Sequence, residues 1–157
     1  MKRFALIFSA AVILPVLLSS CASFRKQPEV RLREFSRQDE NAARTLAGTF
    51  AESFIQALKN DDFSIWQKHI PPRSANRISQ QNFKDMRKEL LDNFGTFTGG
   101  TCLGEVTSGD LRTYLWKLTF EAKDKNKKTV REIIYFVRVF CEEGKAPAIS
   151  RFGVKII

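Results

Sequence analysis

Apolar residues recur at steps of three and four through the first part of the folded chain, and this spacing is typical of one face of an α-helix. A first helix is predicted to begin between Ser36 and Asn41, since both residues can act as caps, and to end near Asn60. Its apolar face contains Leu46, Ala47, Phe50, Ala51, Phe54, Ile55 and Leu58. This face is expected to pack against the core.

Two further helices are predicted before Gly95. Asp61 or Asp62 can cap a short second helix, and the two prolines that follow its apolar residues stop it. Residues 73–78 are predicted to be a polar link, after which Ser79 caps a third helix that Gly95 ends. The apolar residues are Phe63, Ile65, Trp66 and Ile70 in the second helix, and Phe83, Met86, Leu90, Leu91 and Phe94 in the third.

The pattern changes from helical to alternating after Gly95, which predicts strands in the rest of the chain. Four strands are predicted, at residues 97–106, 112–123, 129–142 and 148–157. Gly99, Gly100 and Gly104 predict a bulge or a close backbone approach in the first strand. The third strand is apolar on both faces, which predicts a central position; these residues are Ile133, Tyr135, Val137 and Val139 on one face, and Ile134, Phe136 and Phe140 on the other.

Three helices followed by an antiparallel meander predict an α+β fold, in which the helices pack on one face of a curved four-stranded antiparallel sheet. The length allows one such domain. We predict a signal peptide over residues 1–20, a lipid-anchored basic tether over residues 21–40 and a single α+β domain over residues 41–157.

The N-terminal prediction depends on a short apolar segment. Lys2 and Arg3 precede a charge-free run from Phe4 to Leu18. A membrane-spanning helix needs about 20 apolar residues, so this shorter run is typical of a signal peptide that is removed.

The end of that run, Leu18-Ser19-Ser20-Cys21, resembles the bacterial lipobox. The resemblance implies cleavage between Ser20 and Cys21, a diacylglyceryl group on the Cys21 thiol and acylation of the new amine. It also implies a membrane anchor through this lipid and contact with the lipoprotein processing and sorting machinery. Ala22 after the cysteine implies the periplasmic face of an outer membrane. The alternative is an ordinary secretory peptide with an incidental cysteine.

Charge narrows the choice of partners. Without Lys2 and Arg3 the mature chain has 24 basic and 17 acidic residues, a net charge of +7. Nucleic acid is not expected as a partner, because an exported and tethered domain does not meet it routinely. The basic tether can contact anionic headgroups or serve as a solvated spacer, and the sequence favours neither.

With Cys21 assigned to lipid, Cys102 and Cys141 are the two remaining cysteines, in a compartment that permits disulfides. A regular meander puts a strand between them, and bridging needs Cα atoms within about 7 Å. A kink in the first strand could bring them together. A disulfide between them therefore stays an open alternative.

The segments at residues 54–63, 90–97 and 149–154 carry a second resemblance. They are similar to small exported domains of the nuclear-transport-factor-two-like, cystatin-like group, the first by its helix, acidic break and second helix. The resemblance implies a cone-shaped domain with a possible pocket between the sheet and the helices. It implies no activity, because the group includes both enzymes and lipoproteins.

Candidate catalytic residues are few. His69 is the only histidine, and without an orienting partner it is predicted to be a surface or helix-capping residue. Enzymes of the resembled fold use a pocket carboxylate, often with a tyrosine, for which the candidates are Glu105, Asp110, Tyr114 and Tyr135. No cofactor and no metal site is expected, since the sequence has neither a Cys-x-x-Cys motif nor a histidine cluster.

Two functions remain open. The first is a binding domain for a small apolar ligand or an envelope protein, with a possible pocket among Tyr114, Trp116, Phe120, Phe136, Phe140 and Phe152. The second is a small isomerase or cyclase that uses a pocket carboxylate. The absence of a nucleophile motif or carboxylate pair in the sequence favours binding.

A basic cluster around one hairpin is predicted to be a solvated turn; it contains Lys123, Lys125, Lys127, Lys128 and Arg131.

Overall fold

In the computed structural model, which describes residues 31–124 and 127–156, four helices precede four strands. The helices are α1 (Arg37–Asn60), α2 (Phe63–Gln67), α3 (Pro72–Ala75) and α4 (Gln80–Phe94). The strands are β1 (Thr96–Ser108), β2 (Leu111–Asp124), β3 (Lys127–Phe140) and β4 (Ala148–Lys155). The predicted signal peptide, with its cleavage site between Ser20 and Cys21, lies outside the described residues.

Side-chain caps define the starts of the main helices. Ser36 and Asp39 form a reciprocal capping box at the start of α1, and Ser79 forms the same arrangement with Asn82 in α4. Asp62 caps α2. These caps confirm the predicted helix starts at Ser36, Asp62 and Ser79.

The polar link predicted over residues 73–78 contains a short helix instead. Pro72 begins α3, and the carbonyl of Pro71 accepts hydrogen bonds from the backbone N–H groups of Ser74 and Ala75. Proline suits the first helical position because its φ is already helical and that position needs no N–H donor. Pro72 therefore starts α3, whereas α2 ends earlier than predicted, at Gln67, and Ile70 lies in the turn between the two helices.

The strands form one antiparallel sheet in the order β1-β2-β3-β4, which confirms the α+β fold with helices packed on one face of a curved sheet. β2 and β3 are the inner strands. Their residues on the covered face are buried and form the core with α1, α2 and α4; they are Tyr114, Trp116, Leu118, Phe120, Ile133, Tyr135, Val137 and Val139.

The glycines of β1 have the two roles predicted for them. The pairing with β2 shifts between Cys102 and Gly104, where Gly104 has a φ of 127°, so the strand bulges there. A Cβ atom at Gly100 would lie 2.6 Å from the Cδ1 atom of Ile55, so this glycine lets β1 approach α1 closely.

The segment before α1 pairs with the chain after β3. Leu32 forms an antiparallel bridge with Glu142, and the backbone N–H of Arg33 donates to the carbonyl of Cys141. The described part of the predicted tether, residues 31–40, is therefore built into the domain, because backbone pairing and the start of α1 hold it there. Within residues 31–124 and 127–156, no helix is long and apolar enough to cross a membrane.

Candidate ligand-binding pocket

A pocket of about 350 Å³ lies between α4 and the edge strand β4. This volume falls in the range of small-molecule sites. Its walls come from α1, α2, α4, β3, β4 and the residue after β4. The described lining residues are Phe54, Trp66, Met86, Glu89, Leu90, Asn93, Phe94, Tyr135, Phe152, Gly153, Val154 and Ile156.

The position of α4 explains the pocket. α4 packs against β1 and β2 at the far side of the sheet, whereas β4 forms the opposite edge. The inner face of β4 is therefore covered only in part, and Phe152 and Val154 stay half-buried. The gap between the helix and the edge strand is the pocket.

Aromatic rings form the buried part of the pocket wall. Phe54 stacks on Tyr135 with ring centroids 4.4 Å apart and meets Trp66 edge-on at 4.9 Å. Phe152 packs edge-on against Trp66 at 5.7 Å. Such ring contacts stabilise one arrangement of the aromatic side chains, so this part of the wall is pre-formed.

The rim of the pocket is polar and exposed. Glu89 and Asn93 come from the exposed side of α4, and Ile156 follows β4 with 67% of its surface accessible. Glu89 is the one ionisable acid among the described lining residues, and no described lining residue is basic. The pocket therefore combines an apolar interior with a rim that carries a single negative charge.

Two polar atoms of the lining side chains have no hydrogen-bond partner within the described part of the chain. They are the indole Nε1 of Trp66 and the hydroxyl of Tyr135. Burial raises the pKa of Tyr135 well above its ordinary value, so the hydroxyl keeps its proton at physiological pH. Both polar atoms are themselves enclosed by the surrounding side chains, so neither is shown to open onto the pocket.

Of the six residues predicted from sequence as a possible pocket, Phe152 lines it. Tyr114, Trp116 and Phe120 are buried in the core of the sheet. Phe136 lies half-buried on the opposite face, because its neighbour Tyr135 points to the helices and side chains alternate along a strand. Phe140 is buried, with the guanidinium of Arg73 4.9 Å from its ring centroid.

The periodic pattern assigns Phe54 and Trp66 to apolar helix faces and predicts neither as a pocket residue. Tyr135 is predicted as a sheet residue and as a candidate catalytic tyrosine, but not as part of the possible apolar pocket. These residues come from three elements that are distant in sequence. Each fits its own periodic pattern as an ordinary core residue, so nothing along the chain marks the space between them.

The candidate catalytic acids do not line the pocket. Glu105 pairs with Tyr114 across β1 and β2, and Asp110 lies in the turn between these strands. Burial raises the pKa of Tyr114 to about 12, and the negative charge of Glu105 adds to this shift. Tyr135 is the one of these four candidates that the structure places at the pocket.

The structure does not contain the possible disulfide, because the Cys102 and Cys141 thiols are free. Cys102 pairs with Trp116 of β2, which pairs in turn with Tyr135 of β3. β2 therefore separates Cys102 from β3, and the bulge in β1 does not bring it to Cys141. Strands two apart in a sheet are about 9 to 10 Å apart, beyond the reach of a disulfide.

His69 and the described residues of the basic hairpin are surface features, whereas Lys125 lies outside the described part of the chain. His69 is exposed in the turn after α2, where its backbone N–H donates to the carbonyl of Trp66. In the hairpin, Lys128 pairs with Glu121, and Arg131 donates to the carbonyl of Asn93. Among residues 31–124 and 127–156, no group of histidine, cysteine and acidic side chains could hold a metal ion.

Comparisons with known proteins add little. No protein-family profile matches the chain. No curated protein matches it. Its structure is similar to that of AclR, a proposed hydroxylase from Streptomyces galilaeus, with a TM-score of 0.40 and 12% sequence identity. The match covers 69% of this chain and 90% of AclR. A likeness of this size carries no argument about activity.

Proposed function

We propose that the protein is a bacterial envelope lipoprotein whose domain binds a small apolar molecule in the pocket between α4 and β4. The pocket itself is the observation that carries the binding function. It has the size of a small-molecule site, an aromatic interior and a polar rim, which is the usual composition of such sites. Although the chain has a net positive charge, no described residue that lines the pocket is basic, so the ligand is selected by apolar contact.

The lipobox-like sequence supports the location. Lipid on Cys21 would hold the domain at the periplasmic face of the outer membrane, where apolar molecules are at hand. Two or more acyl chains give stable anchoring, since each buried CH₂ contributes about 0.8 kcal/mol.

An isomerase or cyclase would need a carboxylate that reaches a substrate inside the pocket. Glu89 is the acid of the described lining, and its side chain is exposed at the rim. Glu105 and Asp110 lie elsewhere. The geometry therefore favours binding over this second function.

The binding function can be tested by calorimetric titration of the mature lipidated protein in nanodiscs. The probe is 2-acetylnaphthalene, and empty nanodiscs are titrated as the blank. Val154→Phe should fill part of the pocket and weaken binding at least tenfold. Val130→Phe is the matched control, since Val130 is 60% exposed and does not line the pocket. Equal binding by both variants, or no binding by the unaltered protein, would contradict the proposal.

A further inference from the structure

The outer face of the sheet, which points away from the helices, contains a recess of about 320 Å³ over β2, β3 and β4. Its floor is apolar, because Leu115 and Phe136 are paired across β2 and β3 and Ile134 lies beside them on the same face. Phe136 pairs in turn with Gly153 of β4, where a Cβ atom would lie 3.4 Å from the Cε1 atom of Phe136. A glycine at this position therefore leaves the edge of the ring uncovered.

Three basic side chains surround this floor, those of Arg138, Arg151 and Lys155, and no described residue of the lining is acidic. Arg138 and Arg151 are direct partners in the pairing of β3 with β4. Opposed residues of antiparallel strands have Cβ atoms about 5 Å apart, and like charges there destabilise a sheet. An anion between the two guanidinium groups would replace this repulsion by attraction, and a guanidinium can donate two parallel hydrogen bonds to a phosphate.

The segment that leads to the proposed lipid anchor joins the domain at the same end of the sheet. Leu32 bridges Glu142, which follows Arg138 by four residues. At no more than about 3.6 Å per residue, the chain from Cys21 to Leu32 spans at most about 40 Å. A lipid on Cys21 would therefore keep this end of the sheet close to a membrane surface.

Charge decides which occupant fits the recess. A second copy bound through the same face would bring the basic pair of one chain toward that of the other. The segment before residue 31 also has the wrong charge, since it carries Arg25 and Lys26 against Glu29. An anionic lipid surface offers phosphates to the basic residues and apolar groups directly below them. It complements both the rim and the floor of the recess.

We propose that the outer face of the sheet docks the domain on an anionic phospholipid surface. Arg138 and Arg151 share one lipid phosphate, and Lys155 contacts the headgroup beside it. Leu115 and Phe136 pack against the apolar part of the lipid that is held there. This proposal rests on the lipid anchor of the proposed function, and it goes beyond ligand binding in the pocket between α4 and β4.

The test measures how fast Lys155 is acetylated by a water-soluble N-hydroxysuccinimide ester, with each lysine quantified by mass spectrometry. The mature lipidated protein is placed, one copy per disc, in nanodiscs of phosphatidylcholine alone or with about 30% phosphatidylglycerol. The anionic lipid should slow acetylation of Lys155 by about fivefold or more, and about 0.5 M salt should reverse this protection by screening. Lys88 on α4, with 77% of its side chain exposed, should change by less than about twofold.

Substitutions assign the protection to the basic pair. Arg138→Gln combined with Arg151→Gln should abolish the protection of Lys155 by phosphatidylglycerol. Arg77→Gln combined with Lys84→Gln is the matched control, since it removes two exposed basic residues that do not line the recess. This control should keep the full protection. Thermal unfolding of both double variants checks that they are folded.

The outcomes separate the docking surface from the function on which it rests. Equal acetylation of Lys155 in the two lipid compositions would overturn the proposal, whether the side chain is open in both or covered in both by another part of the chain. Protection that survives the Arg138 and Arg151 substitutions would also overturn it. Either result leaves ligand binding in the pocket, which the naphthalene titration measures, untouched. Mature protein whose mass shows no acyl groups would instead reject the lipid anchor of the proposed function, and the docking with it.

Discussion

Trp116 and Phe136 have similar sequence environments, yet the structure places them on opposite faces of the sheet. Trp116 pairs with Tyr135 and points to the helices, whereas Phe136 pairs with Leu115 on the other face. A single step along a strand reverses the direction of the side chain. Both faces of β3 are apolar in sequence, yet the residues that face the helices are buried and Phe136 on the other face is only half-buried.

This difference predicts unequal costs of truncation. Trp116→Ala should lower the free energy of unfolding by about 3 to 5 kcal/mol, as for other large aromatic residues in a core. Phe136→Ala should cost about 1 to 2 kcal/mol, because a half-buried ring loses less apolar contact. Denaturant unfolding of the mature protein measures both values. A larger loss of unfolding free energy for Phe136→Ala than for Trp116→Ala would mean that the helices cover the opposite face of the sheet.

The two cysteines should differ in reactivity for a related reason. Cys102 is exposed, whereas Cys141 is buried and burial raises its pKa, which lowers the thiolate fraction. In non-reduced mature protein we expect one thiol to react rapidly with a maleimide and a second to react only after denaturation. Reducing the protein before the reaction should not change the total number of thiols that react. Finding no free thiol in denaturant would show that the bridge forms in the cell.

At the scale of elements, the junction between α4 and β1 depends on one glycine. Gly95 has a φ of 100°, which L side chains rarely adopt. Its position also lies against β2, since a Cβ atom there would approach the carbonyl oxygen of Glu121 and lie 2.8 Å from the Cα atom of Ala122. This glycine therefore ends the helix and lets the chain turn directly into the sheet.

Gly95→Ala should accordingly destabilise the protein by about 2 kcal/mol or more, through strain at positive φ and contact with backbone atoms. Gly48→Ala is the matched control within α1, where an added Cβ meets nothing within 4 Å. It should stabilise by about 0.5 to 1 kcal/mol, because alanine favours helix more than glycine does. Thermal unfolding of both variants gives the comparison. Equal changes of the melting temperature, with the same sign in both variants, would contradict the role of Gly95 at this junction.

A second element-scale feature is the clasp between Arg33 and Asp39, which joins the segment before α1 to its first turn. The Arg33 guanidinium donates to both carboxylate oxygens of Asp39 and to the carbonyl of Lys145. The hydrogen bond from Arg33 is the largest reason that the pKa of Asp39 lies well below its ordinary value, and Ser36 adds to the shift.

Because this pKa is lowered by folding, ionised Asp39 stabilises the native state above the ordinary aspartate pKa near 4, and the contribution fades as the pH falls below it. Asp39→Asn should therefore lower the melting temperature by a constant amount between pH 7 and 5, and by less in more acidic solution. Asp92→Asn, which removes an exposed pair with Lys88 on α4, should have little effect at any pH. A pH-independent difference for Asp39→Asn would refute the clasp.

For the whole molecule, the proposed lipid anchor on Cys21 can be tested in the cell. Cys21→Ala should release the protein from the membrane fraction and block removal of the signal peptide, because the lipidated thiol is needed for both. Labelling with a radioactive fatty acid and fractionation measure this. Cys102→Ala is the control, since an exposed thiol on β1 should not affect anchoring. Unlabelled wild-type protein would contradict the lipobox assignment.

Much of the fold could be predicted from the chain because local rules decide it. The caps at Ser36, Asp62 and Ser79, the end of α4 at Gly95 and the alternation of Tyr114 and Trp116 depend on backbone hydrogen bonding and on residue period. Short connections between strands then favour the meander order. The pattern does not reveal the helix at Pro72, because one turn is too short to show a period, and it extends α2 to the prolines, whereas that helix ends at Gln67.

The sequence by itself determined the order of the main helices and strands, the alternation of faces along each strand and the candidate lipid anchor. Each of these depends on residues that are close together in the sequence. Tertiary structure alone decided the pocket. Phe54, Trp66 and Tyr135 read as core residues within their own elements, and the space beside them exists because α4 packs toward β1 and β2 and leaves β4 half-covered. Packing of α1 and α2 on β3 also buries the indole N–H of Trp66 and the hydroxyl of Tyr135 without a partner among the described residues, because these contacts join segments that are distant in sequence.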